Sequence, residues 1–252
     1  MARERYLIHA DDMDFQEREK IKLTGWKKVK NFFYYNTVKI LAFLFFGGLI
    51  GIYIYHLATI PKADYTIAFV TRSGMSEQVT TQIADEFKKS AEDVNGDGKI
   101  IINLNSYTYL LGNDAMGQSA QTAQTELTRV ISDFETYTSA IFITDDVSFN
   151  NMLHNTGTSF YVNLKTGAAV PDGLTDYSEI RAPYEEWKTF DDFLIQFDAS
   201  GANLEALTDS YMNGLSVSVR TIDDTQHQHD PDKQKDFKNA LNLVQKVLGY
   251  KE

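Results

Sequence analysis

Residues 63–109, ADYTIAFVTRSGMSEQVTTQIADEFKKSAEDVNGDGKIIINLNSYTY, decide the fold. ADYTIAFVT (63–71) is short, apolar and rich in aromatic and β-branched residues, which predicts a buried strand. SEQVTTQIADEFKKSAEDV (76–94) sets Val79, Ile83, Phe87 and Ala91 four apart, so one apolar stripe runs down an amphipathic helix. KIIINLNSYTY (99–109) predicts a second strand. A strand, a helix and another strand in so short a span imply parallel pairing through a right-handed crossover.

The pattern continues downstream. QTAQTELTRVISDFETY (121–137) predicts a helix and SAIFITDD (139–146) a third strand, so the expected fold class is α/β: three layers around a mostly parallel sheet. Helices then cover both faces, and the first strand lies between the second and third. VSFNNMLHN (147–155) predicts a short helix, TSFYVNL (158–164) a strand, and KTGAAVPDG (165–173) a turn. The Trp187–Phe197 segment reads as helical, LSVSVRT (215–221) as an alternating strand, and KQKDFKNALNLVQKVL (233–248) as a closing helix.

Upstream the chemistry changes. ILAFLFFGGLIGIYIYHLATI (40–60) is an unbroken apolar run of the length a helix needs to cross roughly 30 Å of hydrocarbon. Lys22, Lys27, Lys28, Lys30 and Lys39 precede it, whereas Lys62 and Asp64 follow closely, so the positive-inside bias places the N-terminus in the cytoplasm. The expected organisation is a cytoplasmic basic and aromatic juxtamembrane segment (1–36), a transmembrane helix (37–60) and an extracellular domain (61–252). About forty residues before the span and no small-x-small site after it favour a retained signal anchor over a cleaved signal peptide. Trp26, Phe32, Phe33, Tyr34 and Tyr35 suit the inner headgroup belt, and Tyr53 and Tyr55 the outer one. Gly47 and Gly51 form a GxxxG pair through which two copies could self-associate.

Charge divides the chain at the same place. Nine basic and six acidic residues stand up to Ile60, net +3, leaving fifteen and twenty-nine beyond it, net −14. An acidic outer domain argues against nucleic acid as a partner and for affinity toward cations. There is no cysteine, so neither a disulfide framework nor thiol chemistry is available. No GxSxG, phosphate-binding glycine loop or HExxH appears, and the expected role is non-enzymatic.

The lysine-rich NFFYY stretch (31–35), one apolar helix, DYTIAFVTR (64–72) and DVNGDGKIIINLNSY (93–107) together resemble a group of uncharacterised single-pass surface proteins of Gram-positive bacteria. Their outer domain is similar in strand and helix order to one lobe of extracellular solute-binding proteins. That resemblance implies an interaction or accessory module of an envelope or transport system, with a protein partner there. The alternative it implies is a tethered solute-binding or sensing domain, with its ligand at the carboxyl ends of the strands near Arg72, Asn105, Tyr107 and Asp145.

Two segments carry possible metal chemistry. Asp93-Val94-Asn95-Gly96-Asp97-Gly98-Lys99-Ile100-Ile101 sets oxygen ligands at alternate positions with glycine sixth from Asp93, the pattern of a structural calcium loop. Asp93, Asn95 and Asp97 would ligate through side chains, and Lys99 and Ile101 through carbonyls. Leu104 stands where an EF-hand has its bidentate glutamate, so the loop instead resembles the helix-loop-strand calcium loop of sugar-binding periplasmic proteins. The same letters also make a good helix-to-strand turn. In 223–232, His227 and His229 lie among four aspartates; zinc is one reading, and a solvated loop with Asp230 or Asp232 capping the last helix is the other.

Overall fold

The computed structural model describes residues 24–59, 61–72, 74–108, 120–197, 203–223 and 225–251. The chain divides into two units, 1–60 and 61–252.

The first unit is a single helix, α1 (Trp26–Thr59), with no acidic residue in its first turn. Its apolar side chains are exposed along its whole length, and it is long and apolar enough to cross a membrane. The helix starts eleven residues before the expected span, at 26 rather than 37. At 1.5 Å per residue its 34 residues extend about 51 Å, so the lysine- and aromatic-bearing turns continue the apolar rod. Residues 1–23, which include Lys22, lie outside the described residues.

The second unit follows the βαβ reading closely at first. β1 (Tyr65–Thr71), α2 (Glu77–Lys88), β2 (Ile102–Thr108), α3 (Ala120–Thr136), β3 (Ile141–Asp145) and α4 (Asp146–Thr156) occur where the patterns placed them. β1 pairs in parallel with β2 on one side and β3 on the other, so the first strand lies between the other two. Alternation along β1 explains the three layers. Ile67 and Phe69 face α2 and α6 (Pro231–Val247), meeting Val79, Ile83, Phe87, Leu243 and Val244; Ala68 and Val70 face α3 and α4, meeting Val130 and Met152.

The mostly parallel sheet is a mixed one. Its order is β2-β1-β3-β5-β4, and β5 (Leu215–Val219) pairs antiparallel with β3 and with the short β4 (Ala182–Pro183). Alternation in LSVSVRT specifies a strand but not its direction. Direction is set by α5 (Leu204–Met212), which hands the chain to β5 through Asn213 and a Gly214 at φ 81°, so β5 runs back along β3 without a crossover helix.

Two other expectations are corrected. Thr158–Phe160 of the predicted fourth strand is a 3-10 turn, and only Tyr161 and Val162 make isolated bridges. Thr158 Oγ1 donates to the Pro171 carbonyl and the Ser159 amide to Asp172, which hold the segment off the sheet. The Trp187–Phe197 segment is helical only as a 3-10 turn at Lys188–Phe190. Beyond it the Ile195 amide donates to Thr208 Oγ1 and the Gln196 amide to Gln82 Oε1, so α5 and α2 take donors that a continuing helix would use internally.

Candidate functional site

At the carboxyl ends of the parallel strands, Arg72 and Asp145 meet through the backbone. The Arg72 amide donates to Asp145 Oδ2 at 2.6 Å, and Asp145 Oδ1 accepts the Ser148 amide at 2.7 Å as the N-cap of α4. Asp145 therefore ties β1 to the start of a helix. Tyr107 turns away from this edge: its hydroxyl donates to the buried Asp133 at 2.7 Å, and Arg129 lies over its ring. Burial, followed by the Asp133 carboxylate, raises the Tyr107 pKa far above the ordinary phenol range. Asn105 shares that face of β2 and accepts from Asn103. The structure thus joins Arg72 with Asp145 at one strand end and sets Asn105 and Tyr107 against α3. Ser73 and residues 109–119 lie outside the described residues.

The Asp93–Ile101 loop is closed by its own amides. Asp93 accepts from Gly96 at 2.6 Å and Gly98 at 2.8 Å, Asn95 Oδ1 accepts from Asp97, and Asp97 Oδ1 accepts from Lys99. Gly96 and Gly98 sit at φ 76° and 80°, where a side chain would strain the turn. The organising residue is Asp64, which the loop motif does not contain. Its Oδ1 accepts from Val94 and Asn95 and its Oδ2 from Ile101, so it holds both ends of the loop from the mouth of β1. The Ile101 carbonyl accepts from Asp64 and Tyr65. Among the described residues, no three His, Cys, Asp or Glu side chains converge as a metal cluster.

In 223–232, His227 Nε2 and Gln226 Nε2 both lie against the Glu135 carbonyl, at 2.8 and 2.6 Å. His229 is exposed, and Asp230 caps α6 by accepting from Asp232 and Lys233, with Pro231 at the first helical position.

The feature that sequence reading missed lies between α5 and the Tyr184–Leu194 segment. Trp187, Phe190 and Phe193 stack edge to face, Phe87 of α2 joins them at 5.1–5.7 Å, and Tyr184 completes the cluster. A groove of about 460 Å³ opens above these rings. Its rim carries Glu185, Asp191, Asp192, Glu205 and Asp209, all exposed, and none pairs with a cation among the described residues. Burial raises the Tyr184 pKa, and the fields of Asp209 and Asp191 raise it further. Asp191 and Asp192 were legible as charges inside an aromatic run; α5, which brings Glu205 and Asp209 across from them, was not. The arrangement can take an apolar group against Tyr184 and Leu194, over rings that are themselves buried, while five carboxylates neutralise positive charge around it.

No family model, curated protein or solved structure compared with this chain matches it.

Proposed function

We propose that this chain is a membrane-tethered docking module without chemistry of its own, which holds a basic segment of an envelope or transport protein in the groove between α5 and Tyr184–Leu194. The observation carrying this reading is the set of five carboxylates, unpaired among the described residues, around a groove over an aromatic cluster. Exposed acids of one sign raise the local concentration of cations and speed their capture. Leu194 and the half-buried Tyr184 beneath them add contact area for the stems of lysine and arginine side chains. α1 anchors the module, with the lysine side in the cytoplasm and 61–252 outside. A structural calcium ion in the Asp93–Lys99 loop belongs to the same reading: each carboxylate oxygen retains lone-pair capacity beyond its one amide, and the Lys99 carbonyl completes the set.

Oligolysine titrated into the full-length chain in neutral detergent tests the groove, with Trp187 fluorescence in a Trp26→Phe background as the readout. The expected result is saturable binding, weakened by salt and lost in Glu185→Gln/Asp191→Asn/Asp209→Asn. Equal binding by parent and variant would mean that only the domain's diffuse charge is sensed, and the groove would be abandoned. Protease added to intact, wall-free cells should remove the outer domain and spare a tag on Met1; the reverse pattern overturns the orientation.

A further inference from the structure

Arg220 keeps two side-chain donors unpaired among the described residues. It follows β5, is 7% exposed, and its Nε and Nη1 are buried with no hydrogen-bond partner. Its guanidinium lies 4.9 Å from the ring centroids of Tyr137 and Phe160 and 5.7 Å from that of Phe134. These rings supply cation–π attraction but accept none of its N–H donors in the plane of the fork. The field of the Asp133 carboxylate reaches Arg220, but that carboxylate is occupied: Tyr107 Oη, the Ser139 amide and Ser139 Oγ all donate to it. A buried donor left unmade costs more than an average hydrogen bond returns, so a fold that keeps one commonly has a use for it.

A cavity of about 530 Å³ meets this side chain, lined by Phe134, Glu135, Arg220, Thr225, Gln226 and His227. The Glu135 carbonyl pins the side chains of Gln226 and His227 to one wall, so that wall is preformed. Phe134 supplies an apolar wall, itself held at 5.0 Å from Phe160 and 5.7 Å from Phe142.

We propose that this cavity binds a small organic carboxylate, its oxygens on the Arg220 guanidinium and its apolar part against Phe134. Nε and Nη1 are covered in the unliganded fold, so the carboxylate must draw the guanidinium toward the cavity to engage its planar fork, and an apolar wall beside a single guanidinium suits a monoanion bearing a ring or short chain. A phosphate dianion is a poorer match, because among the described residues one guanidinium is the only permanent cation lining the cavity. The site is separate from the acidic groove and asks for the opposite charge.

The test uses the full-length chain in neutral detergent with arginine side chains labelled by nitrogen-15, at constant ionic strength. Benzoate should shift the Arg220 Nε resonance saturably, whereas neutral benzamide and inorganic phosphate at the same concentrations should not. Arg220→Met should lose benzoate binding. Because that variant removes a buried residue and can lose its fold, Phe134→Leu serves beside it, keeping the Arg220 resonance while weakening benzoate roughly fivefold through the lost ring contact. If benzoate leaves the parent's Nε resonance unmoved at millimolar concentration, or benzamide moves it equally, the guanidinium is held by its rings alone and the proposal fails.

Discussion

The Asp93–Lys99 loop and the groove between α5 and Tyr184–Leu194 are both acidic, and their carboxylates do opposite things. In the loop, every carboxylate accepts at least one main-chain amide, and Asp64 alone satisfies three. In the groove five carboxylates face solvent, and none pairs with a cation among the described residues. Charge count does not distinguish the two regions. What differs is whether the backbone around each acid still has donors free. A turn that reverses within a few residues leaves amides pointing inward, whereas helices and 3-10 turns satisfy their own and push acids outward.

The largest effect expected from this contrast is at Asp64. Asp64→Ala strands the Val94, Asn95 and Ile101 amides at the edge of the core, and should lower unfolding free energy by about 3–4 kcal/mol in denaturant titrations. A loss no larger than that of an ordinary surface substitution would mean the loop relaxes onto water, and the contrast with the groove would disappear.

Calcium gives the next largest effect. If the loop holds the ion in the folded state only, a hundredfold excess over the dissociation constant adds about 2.7 kcal/mol, read as a higher melting point of the chelator-treated chain. Asp93→Ala with Asp97→Ala should abolish the rise, and neutralising Asp191 and Asp209 should leave it intact. Magnesium should substitute poorly because it demands tighter octahedral geometry. No rise in the parent leaves the loop as a turn closed by its own amides.

Neutralisation should also act with opposite sign on stability. Asp93→Asn weakens the loop's charge-assisted bonds and should lower the denaturation midpoint. Asp191→Asn with Asp209→Asn relieves repulsion between unpaired like charges and should leave the midpoint unchanged or slightly raised, measured under the same conditions at low salt. Equal losses in both would show that the groove acids are structural.

The smallest effect is local. Burial and then Asp209 and Asp191 hold the Tyr184 phenol above its ordinary pKa, so the neutral form is favoured in the fold. Asp191→Asn/Asp209→Asn should lower that pKa without returning it to the ordinary value, since burial is the larger cause and persists. Titration of the carbon-13-labelled tyrosine ring, with Tyr184→Phe assigning the resonance, measures it. An unchanged value would place the two carboxylates too far from the groove floor to act on a bound cation.

Much of the fold was legible because its information is local. Ile67 and Phe69 alternate with Ala68 and Val70, Val79, Ile83 and Phe87 repeat at helical spacing, and crossover handedness then orders β2, β1 and β3. The aromatic run at 187–197 misled for the same reason. Its spacing suits a helix, but Gln82 and Thr208, distant in sequence, claim its amides. The candidate strand-end site shows the limit differently: Arg72 and Asp145 do meet, yet through an amide and a helix cap, while Tyr107 is drawn to Asp133.

By itself the sequence determined the long apolar helix, the acidic balance of the domain that follows and the three parallel strands, because periodicity and composition act over neighbouring residues. Only the tertiary structure decided the direction of β5, the anchoring of the loop by Asp64, the groove that α5 closes and the cavity that meets Arg220. Each of these depends on which groups, far apart along the chain, are left with unsatisfied donors, acceptors or charge once the core has packed. That is a property of the packed arrangement and is not carried by any one segment.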